Sequence, residues 1–310
     1  MSSIVAEIRR EIQAFADFLP LIAELEAPVY DVEFHRRLER IDNMSRACLG
    51  ERPTLMRLMF DACTDELDTS VLMEHSRTKP FGYAGDFLIN DWMLQRSIPS
   101  EGRGRLWDEF FQRQACARAA RTRKDHFCEM LLSRWDHASP GISVLDLACG
   151  SCRDIAEAVD LGGTRTRGSY IHCVDSEPKA IEFARNVTRN SHQKVVWQWE
   201  VANVYRLRPV KKYDLTYTSG LFGYLNERLA VALLERMWRW TNEKGGRVVF
   251  CNMHPQNTSR SYMEWCGDWF VIHRSEQEML DLCIKAGING DCVTFSQEQV
   301  GVFTFCVAKK

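Results

Sequence analysis

The stretch VLDLACGSCRDIAEA, Val144 to Ala158, reads as a strand, a tight turn of small residues and the start of a helix. In a doubly wound α/β fold such a turn lies at the carboxyl end of the first strand, where ligands bind at the topological switch point. Asp146 opens the turn and Gly150 allows close backbone approach. A nicotinamide dinucleotide fingerprint needs G-x-G-x-x-G. Here Ala148 and Cys152 stand where glycines are expected, so a pyrophosphate cradle is poorly supported.

Further runs of the same kind follow. ISVLDLAC, YIHCVD, VVWQWEV, YDLTYTS and GRVVFCNM are short, apolar or β-branched, and the gaps between them hold helices. That alternation argues for a largely parallel sheet with crossover helices. DCVTFSQEQ and GVFTFCVAKK are adjacent strand-like runs, expected to close the sheet as an antiparallel hairpin. Asp175 ends the second strand, where a carboxylate can accept hydrogen bonds from both ribose hydroxyls. Asn203 falls near the end of the third strand, and Ser219 with Gly220 ends the fourth.

A Gly-containing turn, an acid, a polar residue and a fourth-strand turn in this order resemble the class I S-adenosylmethionine-dependent methyltransferases. The resemblance spans about Ile142 to Lys310. It implies a Rossmann-like sheet with S-adenosylmethionine as cofactor, Ala148 and Gly150 approaching the methionine moiety, Asp175 on the ribose and Asn203 beside the adenine. Two departures stand out: the family usually carries more glycines in the first turn and an aspartate at the adenine position. The competing reading is an α/β domain that binds NAD or no nucleotide.

Ahead of the sheet the pattern is helical. Ile4, Ile8, Ile12, Phe15 and Leu19 recur at helical spacing until Pro20 and Pro28 interrupt them. Helices are expected around Val32 to Leu49, Pro53 to Met73 and Phe87 to Arg96, with one long helix from Arg105 to Trp135. HASPG, His137 to Gly141, reads as a linker. The expected domains are therefore 1–138, a helical N-terminal cap or lid, and 139–310, the Rossmann-like domain.

SRTKPFGYAGDF, Ser76 to Phe87, breaks that helical half: Pro80, Gly82 and Gly85 interrupt it, and charges flank Phe81 and Tyr83. Lys79 to Asp86, Trp107 to Gln114, and Tyr262 to Trp265 with Asp268 and Trp269 match three motifs of a narrower bacterial group. These are K-P-x-G-Y-A-G-D, W-D-x-F-F-x-Q and Y-M-E-W…D-W. Members of that group resemble proteins assigned to 3-hydroxy fatty acid methyl ester synthesis and the azetidine-2-carboxylate synthases.

On this resemblance Arg77 to Phe87 is expected to act as a lid, with Tyr83 near the sulfonium and Asp86 available to the methionine ammonium. A desolvated cation gains up to roughly 2 kcal/mol over an aromatic face. Arg77, Lys79 or Arg153 would hold a substrate carboxylate. The plainer alternative makes Phe81 and Tyr83 the anchors of an interhelix loop with solvated charges. Tyr262, Trp265 and Trp269 would wall an acceptor pocket with Glu264 or Asp268 orienting an amine or hydroxyl, or would simply pack. His254 is a candidate base because it carries an imidazole, but as a lone histidine before Pro255 it reads as structural, and catalysis is not assigned to it.

The expected activity is methyl transfer to a carboxylate or hydroxyl of a small or acyl metabolite. The alternative is intramolecular cyclisation of S-adenosylmethionine to azetidine-2-carboxylate with release of methylthioadenosine, and a third class is a non-catalytic cofactor-binding protein. The 310 residues are 45% hydrophobic with a formal charge of −2, enough for a sizeable core and no global field for nucleic acid or an anionic membrane. No apolar run approaches the ~18 residues of a membrane span, so a cytoplasmic protein is expected, with a homodimer through the N-terminal helices compatible. Twelve cysteines sit in apolar segments and read mostly as reduced core residues. Cys149 and Cys152 form one C-x-x-C, but no second such pair or H-x-x-x-H lies nearby, so no metal is expected.

Overall fold

The computed structural model describes residues 3–136, 141–191 and 195–310. The chain divides into two compact units, Met1–Arg118 with Thr258–Phe270, and Ala119–Asn257 with Val271–Lys310. The expected linker falls largely on residues 137–140, outside the described residues.

The first unit is built from helices α1 (Ser3–Phe18), α2 (Ala27–Ser45), α3 (Arg52–Leu67), α4 (Val71–Thr78), α5 (Phe87–Gln95) and α6 (Gly102–Arg113), with the start of α7 (Ala115–Asp136). Of the spacing read in the sequence, Ile8, Ile12, Phe15 and Leu19 are buried and Ile4 is half-buried, with Val5 buried beside it. Phe15 meets Phe34 edge to face at 5.0 Å, and Phe34, Trp107 and Phe110 continue the aromatic core.

Two expected helices are each split in the structure. The run from Pro53 to Met73 breaks after Leu67: Ser70 caps α4 by accepting from Met73 N at 3.1 Å, and its hydroxyl donates to Asp108 Oδ1 at 2.5 Å. The run from Arg105 to Trp135 breaks at Gln114, which takes an extended backbone with φ −62° and ψ 149°. Gln114 Nε2 donates to Phe110 O at 3.0 Å and its Oε1 lies 2.8 Å from His35 Nε2. An amide with both ends satisfied inside the unit stabilises a break that apolar periodicity does not reveal.

The second unit carries the sheet. Its elements are β1 (Ser143–Leu147), α8 (Arg153–Gly162), β2 (Tyr170–Asp175), α9 (Pro178–Val187), β3 (Val196–Val201), β4 (Leu215–Thr218), α10 (Glu227–Trp240), β5 (Arg247–Met253), α11 (Glu276–Lys285), β6 (Val293–Gln297) and β7 (Phe303–Lys309). Among the described residues the sheet has seven strands in the order β3-β2-β1-β4-β5-β7-β6. β1 to β5 pair in parallel, and β7 lies antiparallel between β5 and β6. This is the Rossmann-like α/β sheet with a terminal antiparallel hairpin expected from the sequence. β1, β4 and β5 are buried almost throughout, which is why they read as unbroken apolar runs rather than alternating ones.

The contact division falls inside α7 because its later turns are bound to the sheet unit. Phe127 stacks on Tyr217 with ring centroids 3.4 Å apart, and Trp135 Nε1 donates to Ser169 Oγ at 2.8 Å. Strand order reverses between β1 and β4, so the chain leaves a crevice at their carboxyl ends.

Candidate active site

The loop after β1 is held in an unusual backbone. Ala148, Gly150 and Cys152 have φ of 55°, 54° and 55°, the left-handed region that costs a non-glycine residue about 1 kcal/mol or more. Cys149 N donates to Val174 O at 3.1 Å, tying the loop to the end of β2. Ala148→Gly should therefore raise stability by about 0.5–1 kcal/mol, since glycine reaches this φ without the Cβ clash and repays part of that gain in chain entropy. Urea unfolding of the two proteins measures it.

Asp175 is locked against this loop. Its Oδ2 accepts from Gly150 N at 3.0 Å and its Oδ1 from Glu177 N at 2.9 Å. Burial pushes its carboxyl above the ordinary range, although the backbone N–H groups of Glu177, Gly150 and Ser176 pull it down. The carboxylate keeps acceptor capacity beyond these backbone donors. The sequence placed Gly150 and Asp175 in one site, and the structure joins them directly.

Asn203 follows β3 and closes an Asx turn, its Oδ1 accepting from Tyr205 N at 2.9 Å. The carbonyl end is thus engaged locally, which leaves Nδ2 as the amide's donor. After β4, the Ser219 side chain hydrogen-bonds Tyr217 and Cys251. Gly220 has φ 92°, and a Cβ there would lie 3.0 Å from Arg123 Nη1, so this turn is closed against α7.

Three further groups went unassigned in the sequence. Tyr217 OH donates to Asp154 Oδ2 at 3.0 Å. Desolvation raises the Asp154 carboxyl despite hydrogen bonds from Ile155 N and Tyr217 and the nearby charge of Arg123. Asp146 is raised well above the ordinary carboxylate range by burial and by the charges of Asp154 and Asp175. Burial and the neighbouring acids thus favour the protonated form of Asp146. A helical pattern cannot single out Asp154 or Arg123, because each lies on an ordinary charged turn.

The remaining candidates belong to the helical unit, and each has partners there. Asp86 is fully buried and caps α5, accepting from Leu88 N and Ile89 N at 2.9 and 3.0 Å, while His75 Nε2 lies 2.7 Å from its Oδ2. Tyr83 is 39% exposed in the loop between α4 and α5. Arg77, assigned to a substrate carboxylate in the sequence, is only 4% exposed. Its Nη1 donates to Cys266 O, its Nη2 to Phe60 O and Thr64 Oγ1, its Nε pairs with Asp68 at 2.5 Å, and the guanidinium stacks on Phe60. Three of the ~5 guanidinium donors are consumed in hydrogen bonds inside the unit, and the Nε is met by the Asp68 carboxylate.

Tyr262 and Trp265 behave similarly. The segment that carries them leaves the sheet after β5 and belongs to the helical unit. Tyr262 OH lies 2.8 Å from Met73 Sδ, and its ring packs against Phe34, Phe110 and Phe111. Trp265 Nε1 donates to Asp42 Oδ1 at 2.8 Å, and Arg52 lies over its ring. Both side chains are core residues with satisfied polar tips.

Residues 144–245 match the family model described as a methyltransferase domain. No curated protein sequence matches the chain. Among solved structures, it is similar to a possible exported protein from Bordetella parapertussis, with a TM-score of 0.62 and 16% identity over 100% of this chain and 97% of that one. It is also similar to magnesium protoporphyrin IX methyltransferase (ChlM) from Synechocystis PCC 6803 with bound SAH, at a TM-score of 0.51 and 12% identity, covering 78% of this chain and 99% of that one. These likenesses concern the fold. With the sheet order they give this chain the Rossmann-like fold of the class I methyltransferases, and the domain match over residues 144–245 supports an S-adenosylmethionine-dependent enzyme.

Proposed function

We propose that this enzyme transfers the methyl group of S-adenosylmethionine to a carboxylate or hydroxyl oxygen of a small or acyl metabolite. The observation carrying the cofactor half of this reading is Asp175, held between Gly150 N and Glu177 N at the end of β2 with lone pairs left for the ribose diol. The acceptor class rests on the sequence resemblance, and the near-neutral formal charge of −2 favours a small partner over nucleic acid.

Bound S-adenosylmethionine supplies an already activated methyl group. The protein's own task is alignment and exclusion of water. Asp175 fixes the ribose, the Ala148–Gly150 backbone limits where the methionine tail lies, and the Asn203 amide donates to the base. Tyr83, the exposed aromatic of the KPFGYAGD segment, is assigned to the sulfonium by resemblance.

One observation favours a second reading. Ala148 keeps a left-handed backbone with a Cβ where the fold usually has glycine, which alters the space left for the methionine tail. In that reading the deprotonated methionine amine attacks its own γ-carbon, the γ-carbon–sulfur bond breaks, methylthioadenosine leaves, and azetidine-2-carboxylate forms without a second substrate.

Mass spectrometry after incubation with S-adenosylmethionine alone separates the two. We expect no turnover until a metabolite extract is added, and adenosylhomocysteine thereafter. Equal amounts of methylthioadenosine and azetidine-2-carboxylate above a protein-free control would instead establish cyclisation. Unchanged turnover and cofactor affinity in Tyr83→Ala would remove Tyr83 from either scheme.

A further inference from the structure

The C-x-x-C of the cofactor loop acquires partners through the sheet register. β1 and β2 run in parallel with Asp146 beside Cys173, and Cys152 ends the loop at the start of α8. Cys152 Sγ lies 3.5 Å from Cys173 Sγ and 3.9 Å from Asp146 Oδ2. The three ligand atoms all fall within 4.8 Å of one another. Cys152 and Cys173 are fully buried, Asp146 is 2% exposed and Cys149 8%.

We infer that Asp146, Cys152 and Cys173 form a binding site for a thiophilic divalent cation such as zinc beneath the cofactor loop. Zn–S bonds of about 2.3 Å and Zn–O bonds of about 2.0 Å give tetrahedral edges of about 3.8 Å between sulfurs and about 3.5 Å from sulfur to oxygen. The observed 3.5 and 3.9 Å differ from these by only a few tenths of an ångström. Two sulfurs favour a soft or borderline cation over magnesium or calcium.

The electrostatics support a cation at this point. The hydrogen bond that the Asp146 carboxylate receives from a side chain comes from a thiol, the weakest of side-chain donors, and the charges of Asp154 and Asp175 act on it. The Cys152 and Cys173 thiols are fully buried beside this carboxylate. A bound cation displaces their protons to solvent and offsets the carboxylate repulsion. It also ties β1, β2 and the start of α8 together around the loop, holding Ala148 and Cys152 in their left-handed backbone.

The test uses the full chain, freed of metal with a chelator under a non-thiol reductant and titrated with cobalt(II), then zinc. One equivalent of cobalt should give the visible bands of a tetrahedral centre with thiolate-to-metal charge transfer, and zinc should bleach them. Cys152→Ser, Cys173→Ser and Asp146→Asn should each weaken binding at least about tenfold, with Cys292→Ser unchanged. Circular dichroism and retained S-adenosylmethionine binding by Cys173→Ser show that the variant is folded and separate this inference from the cofactor reading. Absence of charge transfer, or wild-type cobalt affinity in folded Cys173→Ser, would overturn it. So would a Cys152–Cys173 disulfide that forms readily in air in a protein showing no cobalt bands.

Discussion

Asp175→Ala lowers S-adenosylmethionine affinity about a hundredfold while leaving the helical unit unaltered. A hydrogen bond to a charged acceptor contributes about 1.5–3 kcal/mol, and the carboxylate offers two to the ribose diol, so a loss of about 3 kcal/mol is a conservative expectation. The substitution also strips the acceptor from Gly150 N and Glu177 N, loosening the loop that lies against the cofactor. Asp175→Asn keeps one acceptor oxygen and should lose less, about tenfold. Calorimetric titration measures both, with circular dichroism as the folding control. Unchanged affinity in a folded Asp175→Ala protein would refute the ribose assignment and, with it, the cofactor geometry on which the proposed activity stands.

Arg77→Ala destabilises the helical unit by about 3–5 kcal/mol, the range for breaking a buried charge pair on one side. The arginine connects α4 to Phe60 and Thr64 of α3, to Asp68, and to Cys266 of the inserted segment. Its removal leaves two buried carbonyls and a carboxylate without their donor. Arg77→Lys should recover little, because an ammonium is a compact point charge and cannot span the positions that the planar guanidinium reaches. Urea unfolding gives the magnitude, and hydrogen exchange locates it: amides of α3 and α4 should lose protection while those of β1 and β4 keep theirs. A variant with wild-type stability and a lowered kcat/KM would reverse the assignment and return Arg77 to the substrate.

The contrast between these residues reflects what a sequence carries. The strands were legible because a parallel sheet covered on both faces buries nearly every side chain, so VLDL and VVFCNM appear as uninterrupted apolar runs. Gly150 and Asp175 were legible because loop and acid recur at the ends of successive strands, and parallel pairing of β1 with β2 brings those ends together. The amphipathic faces of the first helices were equally plain.

Periodicity, however, reports that a face is buried and not what covers it. Arg77 and Cys266 are 189 positions apart, and Trp265 and Asp42 are 223 apart, so the partners that make Arg77 and Trp265 structural are invisible from their neighbours. The break at Gln114 depends on His35, 79 residues away. Cys149 and Cys152 carried too little local context to suggest a metal. Only the register of β1 against β2 set Asp146 beside Cys173 and completed the cluster. The sequence by itself determined the sheet, its hairpin and the loop–acid pair, since these follow from local burial and strand ends. Tertiary structure decided which charged and aromatic side chains are free for chemistry, because that depends on hydrogen bonds between residues far apart in the chain.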